Sequence, residues 1–194
     1  GIDHPSVLSY LEVLRDGRPV GKRVAIIGAG GIGFDVAEFL SQPSHDADRA
    51  AFYAEWGIDQ SLTQRGGVVA PEPPAALRQI WLLQRRTGKP GAGLAKTTGW
   101  IHRASLQARG VEMWGGVEYL VIDDRGLHLR RNGETLLLAV DNVIICAGQE
   151  PQRELEAALR ARGQKVTVIG GADVAQELDA RRAIAQATAL ALRV

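Results

Sequence analysis

The stretch VAIIGAGGIGFDVAEFL, residues 24–40, constrains this chain more than any other. An apolar, β-branched run turns through Gly28, Gly30, Gly31 and Gly33 into a segment of helical spacing from Ile32 to Leu40, with Pro43 as its expected stop. A strand, a glycine turn and a helix start in that order make a phosphate cradle, because the first orphan N–H groups of the helix and its dipole stabilise negative charge. Gly28 suits the tight turn, Gly30 lets the backbone approach a phosphate without a Cβ, and Gly33 lets helix and strand pack closely. The pattern is that of a dinucleotide's pyrophosphate site, and its context between strand and helix strengthens it.

The end of the next strand decides which dinucleotide is expected. RQIWLLQRR reads as that strand, and it closes on Arg85 and Arg86 where an NAD site places an acidic residue for the ribose hydroxyls. A carboxylate there would repel a 2′-phosphate, whereas guanidinium groups bind it through charge-assisted hydrogen bonds. The cofactor implied is NADPH. The plainer reading is a solvated strand edge, and Lys89 and Lys96 in the following loop are either added positive charge or ordinary surface lysines. The strand is delayed by residues 43–74, which lack periodicity apart from a short helix over Ala50–Trp56. Compact connections usually run about 2–6 residues, so this is an insertion: a solvated excursion, or a lid over a ligand.

The remaining pattern alternates similarly. Residues 5–16 read as a helix ended by Gly17 and Pro19, and TGKPGAGLAKTTG as a loop before a helix over Trp100–Ala108 and a short strand VEMW. Three antiparallel segments follow, VEYLVIDD, GLHLRR and ETLLLAVDNVIICAG, with hairpin signals at Arg125-Gly126 and Asn132-Gly133. A helix over Arg153–Arg162, a strand and turn in KVTVIGGAD, and a final amphipathic helix complete the chain. The fold expected is α/β: a Rossmann-like nucleotide-binding domain with a central parallel sheet and an antiparallel β-meander, then a C-terminal strand–helix segment. Expected boundaries are residues 1–20 for an N-terminal helix and linker, 21–148 for the nucleotide domain and 149–194 for the last segment.

Composition narrows the function further. A net charge of +1 over 194 residues argues against a nucleic-acid surface, and no apolar stretch approaches the roughly 20 residues of a membrane span. Cys146, the single cysteine, excludes an internal disulfide, cannot alone hold zinc or an iron–sulfur cluster, and fits a reducing cytoplasm. At the end of an apolar strand it reads as a packed small hydrophobe. His4, His45, His102 and His128 show no metal-ligand spacing, and no catalytic acid or base stands out. Among the tryptophans, Trp56 in the insertion is a candidate neighbour of nicotinamide or flavin. The start, GIDHPSVLSYL, shows neither signal peptide nor methionine, so a fragment or processed product is expected.

Longer phrases carry a resemblance. DNVIICAGQEP, with Ala147 and Gly148, resembles the close of a nucleotide domain in two-dinucleotide flavoenzymes, and KVTVIGGADVAQELDARRAIAQATALA resembles their flavin-binding end. With residues 1–43, LAKTTGWIHR and ELDARRAIAQ, they make the whole chain similar to the C-terminal portion of bacterial NADPH-dependent 2,4-dienoyl-CoA reductases, within the trimethylamine dehydrogenase-like flavoenzymes. The resemblance implies NADPH pyrophosphate on Gly28, Gly30 and Gly33, its 2′-phosphate on Arg85 and Arg86, and FAD facing Gly171, Asp173 and the backbone near Ala180 and Arg181. It also implies that FMN, a 4Fe–4S cluster and a TIM barrel lie in a missing N-terminal part, together with the first half of the FAD site. The reaction implied is hydride transfer from NADPH to FAD for reduction of 2,4-dienoyl-CoA thioesters in fatty acid β-oxidation. Alternatives are another trimethylamine dehydrogenase-like flavin oxidoreductase and a non-catalytic nucleotide-binding regulatory module.

Overall fold

The computed structural model describes residues 1–42, 48–175 and 180–193; Pro43 and His45 lie outside them. Two compact units divide the chain, Gly1–Ala147 and Gly148–Val194.

The first unit is built on a parallel sheet of order β1-β8-β2-β3-β4, with β1 Val7–Ser9, β2 Arg23–Ile27, β3 Gln79–Leu83, β4 Glu112–Trp114 and β8 Asn142–Ile145. Central parallel strands are covered on both faces, so they read as unbroken apolar runs rather than alternating ones. Residue parity decides which face each side chain serves. Val24 and Ile26 of β2 and Ile80 and Leu82 of β3 pack with Phe34, Val36, Ala37 and Leu40 of α2 (Gly31–Ser41) and Leu106 of α4 (Gly99–Ala108). Ala25, Trp81 and Leu83 face the other way, onto Val117, Leu127, Leu129 and Leu138. These belong to an antiparallel meander of β5 (Val117–Asp123), β6 (Gly126–Arg131) and β7 (Glu134–Leu138). Its second turn holds Asn132 and Gly133 at φ 52° and 84°, the left-handed pair that tight hairpins require. The α/β fold with a central parallel sheet and a meander is the expected one.

Two elements differ from expectation in this unit. Residues 5–16 are not one helix: β1 pairs with β8, and a short α1 covers only Tyr10–Leu14. The cause is a capping box, in which Glu12 accepts from the Ser9 backbone N–H at 2.8 Å while Ser9 Oγ accepts from the Glu12 N–H at 3.2 Å. The expected third antiparallel segment also splits, into antiparallel β7 and parallel β8. Asp141 makes the break, its carboxylate accepting from the Lys22 and Arg23 N–H groups at 2.9 and 2.8 Å and pairing with the Arg23 guanidinium at 2.7 Å.

The insertion carries α3, Arg49–Trp56, capped by Asp48 at one end and by left-handed Gly57 at the other. Glu55 reaches Arg109 at 2.7 Å, with Arg109 buried and Glu55 partly so. The insertion leaves the C-terminal end of α2, enters the amino end of β3 and is pinned to the last turn of α4. It therefore sits at the edge of the sheet opposite the glycine turn, and this position does not suit a lid over that turn. Trp56 belongs to the same α3 and is placed with Phe52, ring centroids 6.3 Å apart.

In the second unit α5 covers Glu154–Ala161 and α6 covers Ala180–Ala191. KVTVI, expected as a strand, forms no ladder among the described residues, and a 3-10 turn, Gly170–Ala172, follows it. A strand is defined by its neighbour, and none is paired with it here.

Candidate functional site

The glycine turn lies where the strand order reverses direction, between β2 and β8, the place at which open α/β sheets bind ligands. Gly28 N–H donates to the Leu83 carbonyl at 2.9 Å and Cys146 N–H to the Ile27 carbonyl at 2.8 Å, so the carboxyl ends of β3, β2 and β8 are stitched level. Gly28 has φ 114°, and a Cβ there would stand 2.8 Å from the Cys146 carbonyl oxygen. At Gly33 a Cβ would stand 1.8 Å from the Gly28 carbonyl oxygen, so no larger residue permits this approach of helix to turn. Gly30 and Gly31 differ: both are exposed, and a Cβ at either would meet nothing within 4 Å. Gly30 caps α2 without a side-chain acceptor, leaving the first helical N–H groups directed outward. An open, side-chain-free cradle at the positive end of an eleven-residue helix fits a pyrophosphate.

Beyond β3 the loop of Arg85 and Arg86 is fastened rather than loose. Gln84 Nε2 donates to the Arg86 and Gly88 carbonyls at 3.1 and 3.4 Å. Gly116 N–H donates to the Arg86 carbonyl at 2.9 Å and Val117 N–H to the Gln84 carbonyl at 3.1 Å. Gly115 must be glycine for this fit, since a Cβ would stand 2.2 Å from the Gly88 carbonyl oxygen. The arginine side chains are exposed, as are Lys89 and Lys96. The structure thus brings the glycine turn and the two arginines to the carboxyl ends of neighbouring strands β2 and β3. Gln84, Gly115 and Gly116 escaped the sequence reading; the Gly-Gly pair between two strands was its one available signal.

Ala147 and Gly148 follow β8 at the same edge, both exposed, with Gly148 at φ 84°. Cys146, just before them, is half-buried, and burial pushes its thiol up to about 12, which keeps it protonated and unreactive. The histidines serve local pairs: His4 with Asp124 at 3.2 Å, His102 with Glu38 at 2.7 Å and His128 with Asp123 at 2.9 Å. No metal-binding cluster occurs among the described residues, and no helix among them is long and apolar enough to cross a membrane.

In the second unit Asp173 and Gly171 stand at the 3-10 turn, half-buried. Gln186 of α6 ties this turn together, accepting from the Gly170 N–H at 2.7 Å and donating to the Asp173 carboxylate at 3.1 Å. Arg153 Nε donates to the Ala172 carbonyl at 2.6 Å. Ala180 and Arg181 open α6 and are exposed.

Comparison with known proteins agrees with this architecture. A metal reductase of Desulforamulus reducens is 24% identical over 167 residues, which cover 86% of this chain and 24% of the relative. The chain thus spans about a quarter of the length of the curated relative it matches. Similar folds occur in 2-naphthoyl-CoA reductase in complex with 2-naphthoyl-CoA (TM-score 0.64, 18% identity, 90% of this chain and 22% of that one). They also occur in histamine dehydrogenase from Rhizobium sp. 4-9 (TM-score 0.59, 15% identity, 88% and 24%) and in 6-hydroxypseudooxynicotine amine oxidase from Pseudomonas geniculata N1 (0.60, 21%, 89% and 22%). Residues 6–182 match the family described as pyridine nucleotide-disulphide oxidoreductase, a domain whose presence implies FAD and NAD(P) binding. This chain therefore belongs to the pyridine nucleotide-disulphide oxidoreductase family.

Proposed function

We propose that this chain is the NADPH-binding portion of a longer flavoenzyme, that it delivers the hydride of NADPH to FAD, and that the enzyme reduces 2,4-dienoyl-CoA thioesters. The observation that carries the cofactor reading is the juxtaposition of an open glycine turn on β2 with an acid-free, doubly basic loop fastened after β3. The N–H groups at the start of α2 hold the pyrophosphate, while Arg85 and Arg86 meet the 2′-phosphate. The nicotinamide and flavin supply hydride chemistry when bound, and the protein supplies binding and orientation. Asp173 and the start of α6 are proposed to meet FAD from the second unit, as the resemblance implies.

The thioester reading is supported by the phrases shared with 2,4-dienoyl-CoA reductases and by the fold likeness to a reductase crystallised with an aryl-CoA thioester. A chain this short relative to the proteins it matches leaves room for a substrate-bearing part elsewhere in the parent protein. The second reading, an amine-oxidising flavoenzyme of the trimethylamine dehydrogenase type, is favoured by the likeness to histamine dehydrogenase. Stopped-flow flavin reduction by NADPH in the full-length protein, followed by dienoyl-CoA turnover, separates the two: reduction by NADPH and loss of the dienoyl absorbance support the first, and flavin reduced by an amine and not by NADPH overturns it.

The cofactor reading has its own test in the double substitution Arg85→Ala with Arg86→Ala. Hydrogen bonds to charged groups contribute about 1.5–3 kcal/mol each, so NADPH affinity falls by about a hundredfold or more while NADH affinity stays within about threefold. Equal losses for both nucleotides would refute the 2′-phosphate assignment.

A further inference from the structure

The loop after β3 is fastened at its far end as well as at its start. Beyond Arg86 the chain reaches Gly91, which is buried against the ring of Phe34; a Cβ there would stand 2.6 Å from Phe34 Cζ. Its φ of 73° lies in the left-handed region that favours glycine. Pro90, just before it, is buried too and stiffens the approach. The Gly91 carbonyl accepts twice, from the Leu94 N–H at 3.1 Å and from Arg103 Nη1 of α4 at 2.9 Å. Leu94 packs on the core that holds Phe34, and a Cβ at Gly99, the first residue of α4, would stand 2.7 Å from Leu94 Cβ. Phe34 closes the first turn of α2, its N–H donating to the Gly30 carbonyl at 3.1 Å. Gly91 therefore rests on the same helical turn whose N–H groups open the cradle, and Arg103 holds it there from the neighbouring helix.

A ligand held at two points gains from its second contact only as far as the anchors keep the spacing of its phosphates, because that contact is then made at high effective concentration. A small misplacement of one anchor forfeits the gain while leaving each anchor able to bind alone. Arg85 and Arg86 lie between the fastening at Gln84 and the one at Gly91. We infer that Arg103 is a positioning residue for NADPH: through the Gly91 carbonyl it seats the arginine loop on the first turn of α2, so that the anchors for the 2′-phosphate and the pyrophosphate form one rigid unit. The inference rests on the NADPH reading and gives nucleotide selectivity a residue that acts through the loop rather than on the nucleotide.

The test is fluorescence titration of the 194-residue chain with NADPH and NADH, with competition by 2′-AMP and by 5′-ADP, each of which reaches one anchor. The wild-type chain prefers NADPH. Arg103→Met keeps an apolar stem and removes the guanidinium; NADPH weakens about tenfold and NADH about twofold, while the inhibition constants of 2′-AMP and 5′-ADP stay within about twofold of wild type. Hydrogen exchange quickens over residues 89–94 and is unchanged in β2 and β3. Gly91→Ala disturbs the same seat from the loop side, through the Phe34 ring, and has the same effect; it decides alone if Arg103→Met does not fold. His102→Ala breaks the 2.7 Å pair with Glu38 that joins the same two helices; it lowers the melting temperature and leaves the NADPH preference intact. Wild-type preference retained in either folded variant, an equal loss of all four ligands, or an equal loss of preference in His102→Ala overturns the inference and leaves the NADPH reading standing. A wild-type chain that binds NADPH and NADH equally overturns the NADPH reading itself.

Discussion

The glycines of the turn serve two separate purposes, and substitution separates them. Gly33→Ala forces a Cβ to within 1.8 Å of the Gly28 carbonyl oxygen, so the turn must open; the melting temperature falls and nucleotide binding is lost together. Gly30→Ala meets no atom within 4 Å and Gly30 has an ordinary extended backbone, φ −90° and ψ −170°. Its methyl enters only the space a phosphate would occupy. The expected result is an unchanged melting temperature with NADPH and NADH both weakened about tenfold, a loss of about 1.4 kcal/mol; a Gly30→Ala protein that binds as wild type would remove the turn from the site. The glycines were legible in the sequence because their conformational role is local. Gln84, Gly115 and Gly116 were not, because their roles depend on which backbone groups of the loop after β3 come to lie against the start of the meander. Asp59 was hidden for another reason: its turn lies within the insertion, where no periodicity marks it. Its carboxylate accepts from the Ser61 hydroxyl at 2.5 Å and from the Gln64 N–H at 2.7 Å, and these bonds hold it down to about 2. An unfolded aspartate titrates near 3.9. The stabilisation from Asp59 is therefore complete above about pH 4 and lost as pH falls through about 2. Asp59→Asn flattens acid unfolding in that window; an unaltered acid limb would contradict the assignment.

Elements were legible where parity or spacing was strong and misread where pairing decided. The helices α2, α4 and α5 were read from periodicity within a few residues, and β2 and β3 from their apolar runs. The Ser9–Glu12 box is visible in SYLE, yet the apolar spacing around it suggested one longer helix. ETLLLAVDNVIICAG reads as one strand because both halves are apolar, and only Asp141 on the Lys22–Arg23 backbone breaks it. The insertion offers a test at this scale. Removing Glu55 leaves Arg109 as a buried guanidinium without its carboxylate, a loss of about 3–5 kcal/mol when one partner of a buried pair is deleted. Glu55→Ala should lower the denaturation midpoint accordingly, while nucleotide affinity in the folded protein is unchanged because the insertion stands at the opposite edge of the sheet. A selective loss of NADPH binding with normal stability would show the insertion to be part of the site.

At the scale of the whole molecule, the order β1-β8-β2-β3-β4 is what turns scattered motifs into one cradle: it places the reversal of strand order beside Gly28 and the arginine loop one strand away. The second unit carries the residues that the resemblance implies for FAD, Gly171 and Asp173 at the 3-10 turn and Ala180 and Arg181 at the start of α6. The 194-residue chain is expected to bind NADPH and to retain little FAD after desalting, and one equivalent of tightly held flavin would contradict that division of the site.

The most direct measurement is a crystal structure of the chain with NADPH. The account predicts pyrophosphate oxygens within about 3 Å of the N–H groups that open α2, and the 2′-phosphate against the arginine loop after β3. NADPH bound elsewhere, or with its 2′-phosphate turned to solvent away from Arg85 and Arg86, would contradict it.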